Sequence, residues 1–202
     1  MEKTGVDIVE GAFRTLKNGV FSEPHLRYKG SNKTYLKRIL CYNLENHCVW
    51  GKLYRSCVIE RLPDMFIEGI DSNEDYCATS RLLALASRTR TDDVVYFYRI
   101  DGESTFNKAP NDKKMLSTIK AYNKVLRFYQ QRKEVSLALE IGMLQAYRRV
   151  RDTNMTAKEM ESQFEYVPQR LITRIMPPLL RSDRWYKLGD FLYRAVRAVA
   201  CR

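Results

Sequence analysis

The stretch Asp7–Lys17, DIVEGAFRTLK, decides the fold class. Ile8, Val9, Ala12, Phe13 and Leu16 recur at three- and four-residue spacing, which predicts a helix with one apolar face, and Gly19 supplies a stop. Reading outward, Lys33–Glu45 predicts a second helix with Leu36, Ile39, Leu40 and Leu44 inward. Val49–Leu62 has apolar i, i+4 pairs, with a strand as the alternative because Val58-Ile59 and the aromatics suit one. Asn73–Thr89 predicts a helix capped by Ser72, with Glu74 and Asp75 in its first turn and Arg88 and Arg90 at its last. Val94–Tyr98 is the clearest strand. From Asn111 to about Arg151 the pattern is helical, and Gln130–Glu134 divides it into an antiparallel hairpin or bends one long helix. The expected class is therefore mainly α and bundle-like, with a minor β element near 94–99. Glycine and proline in 101–112 place a boundary between an N-terminal platform with one or two strands, 1–110, and a basic helical domain, 111–202.

Charge separates these halves. Of the net +11, residues 1–100 carry +2 and residues 101–202 carry +9. A local positive excess attracts nucleic-acid phosphates, DNA or RNA, or an anionic membrane surface. Apolar residues make up 45% of the chain, enough for a folded core. No apolar run nears the roughly 20 residues of a membrane-spanning helix. The acidic start, MEKTGVDIVEGAF, lacks the features of a secretory signal, which predicts an intracellular protein of cytoplasm or nucleus.

The most specific local signal is Thr156–Met176, TAKEMESQFEYVPQRLITRIM. Thr156 and Glu159 form a capping box, which starts a helix carrying Met160 and Phe164 on one face. Pro168 suits the first position of a second helix, Leu171, Ile172 and Ile175 would pack back on the first, and Pro177-Pro178 would stop it. These residues resemble the helix-turn-helix superfamily, including its winged form, over about a tenth of the chain. They depart from it at Glu161, where a small residue is usual, and at Glu165, where glycine usually opens the turn. The resemblance implies that Gln169, Arg170, Thr173 and Arg174 face a major groove and that Arg181, Arg184 and Lys187 lie near phosphates. Two plainly packed helices with a solvated basic face fit the same residues.

Arg184–Val199 reads as a wing-like hairpin around Gly189-Asp190, or as a helix capped by Asp190. The helix would turn Phe191, Leu192, Ala195, Val196 and Val199 inward and Arg194 and Arg197 outward, where they would join the residues expected to hold nucleic acid. As a basic amphipathic helix it also suits an anionic membrane or a docking partner.

No other constellation points to chemistry. Cys41, His47, Cys48 and Cys57 lack the tight pair of a structural zinc site, so no metal or cofactor is expected. Asp92, Asp93, Asp101 and Glu103 flank the strand without a phosphoryl-transfer signature. Glycines are scattered singly, and no nucleophile arrangement is visible, so no enzyme is expected. The function expected is nucleic-acid binding through the basic half. The alternatives are a viral structural or assembly protein, of matrix or nucleocapsid-associated type, that self-associates into an oligomer, or a protein-binding adaptor.

Overall fold

The first apolar stretch folds as a strand. The computed structural model describes residues 5–41, 47–100, 111–149 and 153–200. Ile8–Lys17 forms β1, the central strand of a mixed four-stranded sheet. On one edge it pairs in parallel with β4, Arg88–Ile100. On the other it pairs antiparallel with β3, Lys52–Tyr54, near its start and with β2, Val20–Phe21, at its end. Branched Ile8, Val9 and Thr15 and aromatic Phe13 favour the extended backbone, and Gly11 weakens a helix. Gly19 is no helix stop. Asn18 and Gly19, at φ +51° and +78°, make the tight turn from β1 to β2.

The expectation of a mainly α protein is thus corrected: the chain is α+β, with helices predominating. The predicted strand at 94–98 is the middle of the longer β4, which absorbs Arg88 and Arg90. Val49–Leu62 splits into β3 and a short helix α2, Ser56–Glu60. The remaining helices are α1 (Asn32–Leu40), α3 (Glu74–Leu85), α4 (Asp112–Tyr129), α5 (Ser136–Arg149), α6 (Ala157–Gln163), α7 (Leu171–Arg181) and α8 (Tyr186–Ala200). The hairpin reading of 111–151 holds for α4 and α5, joined through a short 3-10 turn at Lys133–Val135. Caps follow residue chemistry: Ser31 accepts from the Thr34 N–H, and Asn111 from the Lys114 N–H. The first turn of α3 departs from its expected Ser72 cap. Asn73 takes the cap position at φ +65°, and its amide reaches Thr118 Oγ1 at 2.6 Å.

The predicted boundary at 101–112 falls largely outside the described residues. Across it the halves share one core, in which α3 packs on α4 and α1 on α5. A single apolar cluster runs from Ile8 through Leu40, Leu82, Val125 and Leu144 to Tyr193 and Ala200. No helix of the described residues is long and apolar enough to cross a membrane.

Where the sheet meets α1, a charged group is sealed from water. Glu10 is fully buried. Its carboxylate meets Arg88 Nη1 at 2.6 Å and Lys52 Nζ at 3.5 Å, and accepts the Tyr35 hydroxyl at 3.1 Å. Beside it, buried Arg27 donates to the Gly11 carbonyl at 2.9 Å and lies over the rings of Phe13 and Trp50. Trp50 in turn stacks on Tyr96, centroids 4.4 Å apart.

The same region sets a pH limit. Burial, helped by the Lys52 and Arg149 cations, holds the His47 imidazole down at about 4, below its ordinary 6.5. The unfolded chain then binds the extra proton between these values, so stability is complete above pH 6.5 and drains as pH falls from 6.5 toward 4. Denaturant unfolding at pH 7 and pH 4.5 should show this loss, and His47→Gln should reduce it. An equal loss in that variant would reject the assignment.

Candidate interaction surface

Glu140 determines how the C-terminal helices sit. It lies on α5 and is fully buried. Its carboxylate accepts the Tyr166 hydroxyl at 3.1 Å, the backbone N–H of Gln169 at 3.3 Å and that of Arg170 at 3.4 Å. Arg170 Nη1 pairs with it at 3.0 Å, and the Thr173 hydroxyl also donates to it. A carboxylate at the start of α7 meets unsatisfied backbone donors and the positive end of the helix dipole. This clamp pulls the first turn of α7 against α5.

The predicted reading head is therefore rearranged. Thr173, expected on the outer face, is buried against Glu140. Arg170 is partly exposed but committed to Glu140 and to Ser136. The capping box forms as expected, with the Thr156 and Glu159 side chains each bonded to the other's backbone. The connection between α6 and α7 is no tight turn; it spans Phe164 to Arg170, and Pro168 lies within it. Pro177-Pro178 does not stop the second helix but lies inside α7, which continues to Arg181. Leu171 and Ile175, expected to pack on α6, are exposed, Leu171 at 76%. Met160 of α6 is buried, and α6 packs on α4, while α7 packs on α5 and α8.

α8 replaces the wing alternative with a helix, rotated from its expected setting. Asp190 does not cap it but sits inside it, pairing with Arg148 at 2.5 Å and Arg194 at 2.7 Å. The buried positions are Gly189, Tyr193 and Ala200, while Leu192 and Val196, expected inward, pack half-buried against the core. Gly189 is required by closeness: an added Cβ would lie 3.0 Å from the Leu179 backbone of α7. Phe191 and Val199, expected inward, face solvent at 67% and 65%.

Of the nine residues expected to hold nucleic acid, several are already engaged. Arg181 pairs with Glu161 at 2.7 Å, Arg194 pairs with Asp190, and Arg197 is half-buried with interactions of its own. The exposed Gln169 bonds the Val167 carbonyl at 2.8 Å. Arg174, Arg184 and Lys187 are exposed, and their side chains make no hydrogen bond or ion pair among the described residues; Arg184 lies over the Trp185 ring.

Sequence periodicity missed the apolar part of this surface. α7 and α8 both pack on α5 and on each other. The sides left outward carry Leu171 and Ile175 on α7 and Leu188, Phe191 and Val199 on α8, with Trp185 at the head of α8. The signal available was quantitative: more large apolar residues than the two helices' inner faces could take. Elsewhere, Cys41 is buried at the end of α1, Cys57 lies in α2, and Cys48 Sγ lies 3.5 Å from Arg27 Nη1. Among the described residues, no three His, Cys, Asp or Glu side chains converge as a metal site. Of the four acids flanking the strand, Asp92 pairs with Arg90, while Asp101 and Glu103 lie outside the described residues.

Compared with protein-family models, curated proteins and solved structures, the chain shows no match.

The clamp is testable. Glu140→Ala leaves Arg170, Thr173 and the start of α7 without their acceptor and should cost about 3–5 kcal/mol in denaturant unfolding. Glu161→Ala, which breaks a more exposed pair, should cost at most about 1 kcal/mol. Equal costs would reject the clamp.

Proposed function

We propose that this protein attaches peripherally to anionic lipid surfaces through the outer sides of α7 and α8. One observation carries the reading: large apolar side chains stand exposed on the helices that carry or flank cations whose side chains make no hydrogen bond or ion pair among the described residues. Leu171, Ile175, Leu188, Phe191 and Val199 accompany Arg174 and Lys187 on the same two helices, with Arg184 in the connection between them. Exposed apolar groups of this size are a poor fit to plain solvent. At a lipid surface they enter the boundary between headgroups and acyl chains, while the cations meet the headgroup charge. Trp185, beside Arg184, has the amphipathic ring that favours this boundary. A peripheral structural or assembly role follows from this attachment. Nucleic-acid phosphates would satisfy the three cations but leave the apolar side chains without a role.

Co-sedimentation with vesicles of phosphatidylserine and phosphatidylcholine tests the reading, with single-stranded RNA and duplex DNA assayed in parallel. The chain should bind the anionic vesicles and bind pure phosphatidylcholine far less. Replacing Arg174, Arg184 and Lys187 together by Ala should weaken binding roughly 100-fold, at about 1 kcal/mol for each cation near the surface. Phe191→Asp should abolish attachment without lowering Tm, since the ring is exposed. Vesicle binding unchanged in both variants would overturn the proposal. So would absent vesicle binding alongside nucleic-acid binding that survives Phe191→Asp.

A further inference from the structure

Arg181 closes α7 on the flank of the outward surface. It follows the exposed Arg174 by two helical turns, so both project from the same side of the helix. Arg184 and Trp185 come next, in the connection to α8. Yet Arg181 is half-buried, because its side chain turns back into the protein. Its Nη1 pairs with Oε1 of Glu161 on α6 at 2.7 Å, and its guanidinium lies 6.0 Å from the Tyr147 ring centroid of α5. α6 packs on α4, whereas α7 packs on α5 and α8, so the pair ties together helices with different neighbours.

Arg194 on α8 is also paired, but its acid is of a different kind. The Asp190 carboxylate is 14% exposed and shared with Arg148 of α5, which makes it an internal tie. The Glu161 carboxylate is 45% exposed and pairs with Arg181 alone among the described residues. A pair this exposed is worth no more than a cation gains beside an anionic lipid surface. Glu161 and a lipid headgroup therefore compete for Arg181 on near-equal terms. The Tyr147 ring adds little to the hold, since its distance is at the outer limit of cation–π attraction.

Resting on lipid attachment through α7 and α8, we propose that Glu161 and Arg181 form a latch that regulates it. With the latch closed, Arg181 is withheld and its charge is cancelled by the carboxylate beside it. With the latch open, the guanidinium exchanges Glu161 for a lipid phosphate or carboxylate and becomes a fourth cation of the site, beside Arg174, Arg184 and Lys187. Opening needs only rotation of the long arginine stem, and the last turn of α7 stays in place. Glu161 is thus an inhibitory residue of the surface. It keeps attachment weaker than the cations of α7 and α8 would otherwise make it.

Co-sedimentation of the full chain with vesicles of phosphatidylserine and phosphatidylcholine tests the latch through three variants. Glu161→Ala should bind about fivefold tighter than the wild type, the gain from one added cation. Adding Arg181→Ala to it should return the affinity to the wild-type value. Glu165→Ala raises the net charge equally but frees Arg127 of α4, a helix that packs on α3, α5 and α6. It should change affinity by less than about twofold, because screened charges away from the surface contribute little. A wild type that binds the vesicles while Glu161→Ala binds no tighter overturns the latch and leaves lipid attachment standing. A gain that survives Arg181→Ala, or an equal gain in Glu165→Ala, does the same. A wild type that does not bind the vesicles removes lipid attachment itself, and the latch with it.

Discussion

The buried carboxylate of Glu10 is the constraint on which the sheet depends. A charge sealed from water costs several kcal/mol unless paired and hydrogen-bonded, and Glu10 is paired by groups from three other elements. Arg88 comes from β4, Lys52 from β3 and Tyr35 from α1. A one-residue slip of β1 would turn Glu10 to the other face and strand these partners. The group therefore fixes register more than it adds stability. That matters because β1 and β4 run parallel with paired residues 80 to 83 positions apart, and no hairpin aligns them.

Glu140 repeats the device in the C-terminal half. There too a buried carboxylate gathers donors from distant segments, here the approach to α7 and its first turn. Its consequence is directional. With Thr173 and Arg170 drawn toward α5, helical geometry turns Leu171, Arg174 and Ile175 away from it. The outward surface is thus set by an acid some 30 residues upstream.

Local chemistry was the legible part of the sequence. The capping box at Thr156 and Glu159 and the α4–α5 hairpin follow from spacing and caps, and the helical alternative for 184–199 follows from spacing, though α8 starts at Tyr186 without the expected Asp190 cap. What misled was apolar spacing that serves two conformations. Ile8, Val9, Ala12 and Phe13 fit a helical face, and the same residues make β1 once β4 is there to pair with it. The face of α8 was misjudged for a related reason: Phe191 and Val199 are as apolar as a core residue, but Gly189 sets the close approach to α7 and turns them outward. Charge counting found the basic half correctly yet could not tell which cations already had partners, such as Arg181 with Glu161 and Arg194 with Asp190.

The central claim is that the outer sides of α7 and α8 enter a lipid surface. Quenching of tryptophan fluorescence by brominated acyl chains in anionic vesicles measures this most directly. The chain has two tryptophans, and Trp50 is held in an aromatic stack on the sheet while Trp185 heads α8. The account predicts strong quenching that disappears in Trp185→Phe and persists in Trp50→Phe. Quenching that is absent, or that survives Trp185→Phe, would contradict it.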